Sequence, residues 1–256
     1  MKLMKIVQKQ SGISRRKARD LVEEGEVSVN GQEERNPFED YELDDLDSLY
    51  LRGHPLSTNP PKKNAYRYYK PQGVLCSHDD PHYGRTLGRL LRAEGFIGYR
   101  WAGRLDQDAE GLVLLSNDGQ LVHALTHPRY EVEKKYHIWV SENLSHGRIG
   151  EIIQELMGGV REGGDLLQIE RGGAVERGSE HSKLELVLTE GKKNEIKRIC
   201  EVVGLNLIRL RRVELGPIKL DGLSPGDIER IGPARWSKLC KYRDRALSAG
   251  DSEPSS

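Results

Sequence analysis

The sequence predicts an α+β protein in two parts, with a mixed, largely antiparallel sheet in the second part. A proline-rich stretch, HPLSTNPPKKN at residues 54–64, has no continuous apolar pattern and is typical of a linker. Later segments alternate apolar and polar residues as strands do, and seven glycines between positions 158 and 178 favour hairpins over βαβ crossovers. A chain of 256 residues, at roughly 150 per domain, is expected to form two unequal domains.

The first 31 residues predict two short helices followed by a strand. Apolar side chains recur at helical spacing over residues 3–7 and again over residues 18–22. Ser14 is a suitable N-cap for the second helix, and Gly25 ends it. Residues 27–29 then alternate into an Asn-Gly turn, which indicates a strand.

The second part combines strands with helices that cover them. Four segments read as strands: residues 66–69, 111–116, 136–140 and 184–188. One helix is expected to open at Ser145 and to end at Gly158, and another carries an apolar stripe that stops at Gly204. The expected organisation is a domain at 1–56, a linker at 57–64, a second domain at 65–245 and a disordered tail at 246–256.

Charge is segregated along a chain whose 40 basic and 40 acidic residues cancel. Residues 1–19 carry seven basic side chains and no acidic one, and residues 191–219 carry eight basic side chains against three acidic. Attraction to phosphate acts over about 8 to 10 Å, so such blocks can bind a nucleic acid in spite of a neutral total. Solvated helix faces are the alternative explanation.

Membrane and disulfide classes are disfavoured. No apolar run approaches 18 residues, and Lys and Gln interrupt the first residues, so we expect a soluble cytoplasmic protein without membrane association. The three cysteines are far apart and form no CxxC pair, which favours reduced thiols.

The loop at residues 103–111, GRLDQDAEG, carries three carboxylates and an arginine directly before a predicted buried strand. Asp106, Asp108 and Glu110 stand within five residues, beside Arg104. They fit a solvated turn, a Mg²⁺ site, or a carboxylate that acts as nucleophile or ion-pair partner. The histidine pairs at 78/82 and 123/127 lack a third ligand, so no zinc site is expected.

A second unusual feature is the cationic start of the helix near Lys193. Its first turn brings Lys192, Lys193, Lys197 and Arg198 to a helix N-terminus, which disfavours cations. An anion is therefore expected nearby, either RNA phosphate or a carboxylate such as Asp106. Tyr136, by its alternating pattern alone, reads as a core aromatic.

Four ordered segments resemble the RNA pseudouridine synthases of the ribosomal type. Residues 103–119 resemble the GRLDxxxxGLLLLTNDG signature of that family, and residues 70–73 (KPQG) and 133–136 (EKKY) resemble its KPxG and EKxY segments. Residues 188–198 resemble its LTEGxxxQ[VI][RK]R segment, with Glu195 in place of the usual Gln, while Ala109 replaces a usual Thr or Ser. The first 55 or so residues resemble an S4 RNA-binding module.

The resemblance implies an enzyme that flips a uridine of ribosomal RNA and isomerises it to pseudouridine without cofactor or metal. Asp106 would be the essential carboxylate, Lys197 would pair with it, and Tyr136 would stack on the uracil. Arg104 would fill the space that the base leaves or hold phosphate. The further RNA-binding candidates are Arg15, Arg16, Lys17, Lys70, Lys193 and Arg198.

The implied partner is ribosomal RNA or a pre-ribosomal particle, and the protein is expected to be a monomer. Within the family the chain is most similar to small-subunit rRNA enzymes, with a large-subunit enzyme as the alternative. Two other classes stay open: a catalytically silent S4-type ribosome-binding protein, and a Mg²⁺-dependent hydrolase built on the three carboxylates of residues 106–110.

Overall fold

The computed structural model describes residues 1–42, 45–57, 62–96, 98–177 and 181–250. The chain divides into two compact units, one made of Met1–Lys63 with Arg89–Arg100 and the other of Asn64–Gly88 with Trp101–Ser256. None of the helices in these ranges is long and apolar enough to cross a membrane.

The first unit contains the two helices and the strand expected from the sequence, and three further short strands. Its elements are α1 (Leu3–Ser11), α2 (Arg15–Glu23), β1 (Val27–Val29), β2 (Gln32–Glu33), β3 (Leu49–Leu51) and β4 (His54–Pro55). The Ser14 hydroxyl caps α2 by accepting a hydrogen bond of 3.2 Å from the Lys17 amide. The apolar stripes of both helices meet the sheet in one core, in which Leu3, Val7 and Val22 are fully buried.

The rest of the chain alternates strands with covering helices. In order, its elements are β5 (Ala65–Lys70), α3 (Leu87–Ala93), β6 (Arg100–Ala102), β7 (Glu110–Ser116), α4 (Gly119–Thr126), β8 (Lys134–Val140), α5 (His146–Gly158), β9 (Val160–Glu162), β10 (Asp165–Leu167), β11 (Arg171–Arg177), β12 (Ser182–Leu188), α6 (Glu195–Val202), β13 (Leu207–Leu215), β14 (Ile218–Lys219), β15 (Ile228–Arg230) and α7 (Pro233–Gly250).

The strands confirm the α+β class. The main sheet has the order β11-β12-β8-β13-β7-β5-β15, and its pairs are antiparallel except for the parallel pair of β13 with β7. The glycine-rich region folds as the expected hairpins, because β9 pairs with β10 and β11 with β12, both antiparallel. The sheet is therefore mixed and largely antiparallel.

The strand β8, beside the central strand β13, presents its side chains to the two faces of the sheet in turn. Alternation places Tyr136 and Ile138 on one face and His137 and Trp139 on the other. Arg212 of β13 is the direct cross-strand neighbour of Tyr136 and shares its face. The parallel pairing of β13 with β7 brings the start of β7, and with it the end of the loop at 103–111, beside Arg212.

Two details differ from the sequence-based expectation, and part of it falls on residues outside the described ranges. The helix α7 continues through residues 246–250, where a disordered tail was expected, because it extends from a docked segment in which Leu239 is buried and Arg243 pairs with Asp118. Residues 251–256 lie outside the described residues, as do residues 58–61 of the expected linker. Arg89–Arg100 groups with the first unit, which interrupts the continuous domain expected at 65–245.

Candidate active site

The loop at residues 103–111 joins β6 to β7 and is held against the turn that follows β5. The Gly73 amide donates a hydrogen bond of 2.8 Å to the Gln107 carbonyl, and the Lys70 ammonium reaches the same carbonyl at 3.5 Å. The Ala109 amide donates to the Asp106 carbonyl at 3.2 Å within the loop. These bonds fix the backbone carbonyls of Asp106 and of the next residue, Gln107.

Lys70 has a structural role instead of the RNA-binding role expected from the sequence. Its side chain is 0% exposed, and its ammonium also donates to the carbonyls of Pro71 at 3.0 Å and Val74 at 2.9 Å. Burial lowers its pKa to about 8. A phosphate cannot reach this buried ammonium, so the expectation for Lys70 is wrong.

Glycine is required at both ends of the loop. Gly103 and Gly111 have φ values of +72° and +112°, a region that disfavours residues with a Cβ. A Cβ on Gly111 would lie 2.3 Å from the Arg212 carbonyl oxygen, and one on Gly103 would lie 3.0 Å from Nη1 of Arg212. The two glycines therefore allow the loop to pack closely on β13.

The start of α6 places Lys197 opposite the carboxylates of the loop. Asn194 enters the helix in the left-handed conformation, and Glu195 Oε2 accepts a hydrogen bond of 3.0 Å from the Lys192 amide. Lys197 Nζ lies 2.6 Å from Asp108 Oδ1 and 3.8 Å from Asp106 Oδ2. The expected pair with Asp106 is present, but Asp108 is the nearer partner.

This ion cluster borders an open cleft. The side chains of Lys197 and Asp106 are 28% and 40% exposed, so their interaction is partly screened by water. The cleft has a volume of about 780 Å³ and is lined by Gln72, Gly73, Asp106, Gln107, Asp108, Lys197, Leu207, Ile208, Arg209 and Leu210. It can admit a substrate to Asp106 and Lys197 together.

Tyr136 is partly exposed and has charged neighbours, unlike a simple core aromatic. Burial raises the pKa of its phenol, the charge of Arg212 lowers it, and the charges of Glu195 and Asp106 raise it further. The hydroxyl is therefore protonated near neutral pH. Tyr136 is the cross-strand neighbour of Arg212, on which both ends of the loop pack, but it is not among the residues that line the cleft beside Asp106.

Glu110 does not join the other two carboxylates in a metal site. It is 4% exposed and accepts hydrogen bonds of 2.7 Å from both Arg209 and Arg211. Across the described residues, no group of three His, Cys, Asp or Glu side chains could hold a metal ion. The structure gives no support to the magnesium site considered from the sequence.

The remaining RNA-binding candidates differ in whether their side chains are exposed and free of ion pairs that would compete with phosphate. Arg104 and Lys193 are exposed in the second unit, and the three basic residues at the start of α2, Arg15, Arg16 and Lys17, are exposed in the first unit. Arg198 instead forms ion pairs with Glu162 and with Asp165, the latter at 2.8 Å. The cation of Arg198 is therefore already neutralised by the β9–β10 hairpin.

Two arginines near the site were not singled out from the sequence. Arg209 lines the cleft, and Arg212 lies between Tyr136 and the loop. Both belong to the basic block at residues 191–219, in the run IRLRR. A strand alternates its side chains, so this run predicts arginines on both faces, and only the pairing shows which one faces Tyr136.

The cleft at Asp106 and Lys197 and the exposed basic side chains fit an enzyme that acts on RNA, and comparison with known families identifies the kind of enzyme. The family model described as RNA pseudouridylate synthase matches residues 64–202, and the S4 domain model matches residues 1–37. The chain belongs to the RNA pseudouridylate synthase family, and it is an RNA pseudouridine synthase, an isomerase, with an S4 domain.

Similar proteins agree with this assignment over nearly the whole chain. An RNA pseudouridine synthase of Aquifex aeolicus is 30% identical over 250 residues, with 96% of each chain covered. Ribosomal large subunit pseudouridine synthase B of Yersinia pestis is 34% identical (93% of this chain, 72% of the relative), and ribosomal small subunit pseudouridine synthase A of Vibrio cholerae is 29% identical (94% and 100%). A crystal structure of a pseudouridylate synthase shares the fold, with a TM-score of 0.61, 24% identity, and 93% and 99% coverage.

Proposed function

We propose that this protein converts a specific uridine of ribosomal RNA to pseudouridine, with Asp106 as the catalytic carboxylate and the target base flipped into the cleft. The observation that carries the proposal is the position of Asp106. Its loop is pinned to the sheet, and its carboxylate lies at the open cleft with Lys197 3.8 Å away. The relatives named for action on the ribosomal subunits support ribosomal RNA as the substrate class.

The reaction breaks the C1′–N1 bond of uridine, turns the uracil, forms the C1′–C5 bond, and moves the C5 proton to solvent while N1 gains one. Asp106 would assist the first step, by attacking C1′ or by taking a sugar proton. Lys197, shared between Asp106 and Asp108, would attract the negative charge of the Asp106 carboxylate and hold it at the cleft. In the first route the carboxylate forms a bond to C1′ that C5 of the turned uracil later displaces. In the second route it takes the C2′ proton as uracil leaves, which gives a glycal, and it returns that proton to C2′ when C5 bonds C1′.

Tyr136 would stack on the uracil and assist in removal of the C5 proton. Its hydroxyl is protonated, so it orients the base as a neutral phenol, and it can accept the C5 proton only as its own proton passes to solvent. Arg104 is exposed beside Asp106 in the sequence, where it would occupy the space that the flipped nucleotide leaves or hold a phosphate. No step in this scheme requires a metal or a redox cofactor.

The test is pseudouridine mapping in ribosomal RNA of cells with the gene, without it, and with an Asp106→Asn copy. We expect one uridine or a small set to lose modification without the gene and in the variant. The sequence motifs favour a site in small-subunit rRNA, and a site in large-subunit rRNA would correct that choice. Unchanged maps in all three strains would overturn the ribosomal RNA proposal.

The same strains distinguish the other classes. A catalytically silent ribosome-binding protein would give a growth or assembly defect that the Asp106→Asn copy repairs fully. Purified enzyme should also retain its activity in EDTA, whereas a hydrolase dependent on Mg²⁺ would lose it. The monomeric state and the cytoplasmic location expected from the sequence remain predictions.

A further inference from the structure

Arg212 is a buried cation for which the scheme above has no role. It lies on β13 directly across from Tyr136, and its residue is 1% exposed. Its Nε donates a hydrogen bond of 2.8 Å to the Leu112 carbonyl. Its Nη2 is sealed from solvent without a hydrogen-bond partner, and no carboxylate among the described residues forms an ion pair with it.

A second buried arginine in the same sheet shows what a purely structural arrangement looks like. Arg67 is 3% exposed, and its guanidinium pairs with Glu229 at 2.6 Å and donates to the carbonyls of Lys219 and Asp221 at 2.8 and 3.0 Å. Burial of a charge costs free energy that such partners offset. Arg212 has no carboxylate to offset that cost, so a structural role alone does not account for it.

The surroundings of Arg212 connect it to both halves of the site. The loop that carries Asp106 is seated on it at each end, by Gly103 against the guanidinium and by Gly111 against the backbone. On its other side Tyr136 is its cross-strand neighbour, and the positive charge of Arg212 acts on the phenol. The Arg212 side chain therefore packs against Gly103 at the start of the loop and lies on the same face of the sheet as Tyr136.

We infer that Arg212 is a positioning residue for Tyr136. Its guanidinium holds the phenol in place relative to Asp106, and its positive charge stabilises the negative charge that develops on the phenol oxygen during proton removal from C5. The chemical part of this inference rests on the proposed function. The placement of the Arg212 charge beside the phenol does not depend on the proposed function, so this placement can be tested separately.

The first measurement is independent of turnover. The enzyme carries 3-fluorotyrosine at position 136, and the ¹⁹F signal is followed through a pH titration in the Arg212 and the Arg212→Met forms. Loss of the positive charge should move the titration midpoint of this phenol to higher pH. The matched control, Arg67→Met, removes the other buried arginine and should leave the midpoint unchanged.

The second measurement is a double-mutant cycle on single-turnover pseudouridine formation at saturating enzyme. We expect Arg212→Met to slow the reaction at least 20-fold while its thermal midpoint stays level or rises. In a Tyr136→Phe background the same change should cost less than threefold, because the hydroxyl that it positions is gone. Arg212→Lys should recover part of the rate, and Arg67→Met should lower the thermal midpoint with a near-normal rate.

An unshifted ¹⁹F midpoint, or an Arg212→Met enzyme with an unchanged rate, would overturn the inference, and so would equal losses in both Tyr136 backgrounds. If the Tyr136→Phe rate is too low to measure, the ¹⁹F titration decides. If wild-type enzyme forms no pseudouridine in ribosomal RNA, the proposed function fails, while the ¹⁹F result still decides whether Arg212 controls the phenol.

Discussion

Replacement of Lys197 by Met tests the electrostatic centre of the site. At 3.8 Å, two unit charges attract by about 1 kcal/mol in water and about 4 kcal/mol at an effective dielectric constant near 20. Lys197 and Asp106 are 28% and 40% exposed, which places the pair nearer the lower value. A loss of roughly 1 to 2 kcal/mol of transition-state stabilisation corresponds to a rate about 5- to 30-fold lower.

The loss expected for a fully buried pair, about 3 to 5 kcal/mol, does not apply to this geometry. Asp108, which holds the same ammonium at 2.6 Å, would also lose its partner, so two carboxylates two residues apart would lose the cation that both contact. This repulsion adds to the loss and makes the upper end of the range the better expectation.

The assay is the single-turnover rate at saturating enzyme, so that RNA affinity does not enter. Lys197→Arg keeps the charge and should stay within about fivefold of wild type, a change of about 1 kcal/mol. Lys238→Met, on the exposed side of α7, removes a lysine far along the chain and should leave the rate unchanged. A Lys197→Met rate within twofold of wild type would refute the reasoning and would direct attention to another cation.

Three further outcomes are expected. Asp106→Asn should abolish single-turnover activity with little change in the thermal midpoint, because its partly exposed carboxylate packs little, and residual activity above a trace would contradict its role. Joint replacement of Arg15, Arg16 and Lys17 by Gln should make the salt dependence of RNA binding shallower by about 2 to 3 units if all three contact phosphate, whereas a solvated helix face predicts the same slope. Lys70 binds fewer protons when folded than unfolded between pH 8 and pH 10.5, the ordinary pKa of a lysine in water, so its contribution to stability should rise by up to about 3 kcal/mol across that window. Burial lowers the pKa of Lys134 to about 8 as well, so guanidinium unfolding at several pH values should show a rise in Lys70→Met that is smaller than the rise in wild type by the contribution of Lys70.

Much of the fold follows from short-range patterns in the sequence. The cap at Ser14, the helix α5 that follows Ser145 and the glycine-rich hairpins were all predictable, since each depends on neighbouring residues. The segment Arg89–Arg100, which groups with the first unit, was not, because a return of the chain to an earlier unit leaves no mark on local periodicity.

The site was predictable in its residue types but not in its pairings. Asp106 and Lys197 stand out by sequence, yet the preference of Lys197 for Asp108 depends on distances of 2.6 and 3.8 Å that no pattern encodes. Lys70 reads as a surface cation until the turn after β5 folds over it. The face that each arginine of β13 takes depends on the sheet register, which only the partner strands determine.

Under the proposed function, the anchoring of the loop at 103–111 has a consequence for the order of events in ribosome assembly. Its backbone is bonded to the turn after β5 and its end glycines pack on β13, and these contacts oppose movement of the loop toward a base that stays stacked. The rearrangement on binding must then come from the RNA, and extruding a paired base costs a few kcal/mol more than presenting an unpaired one. We therefore expect the enzyme to prefer nascent or partly folded ribosomal RNA, in which the target uridine is still unpaired, over the same sequence inside a finished subunit.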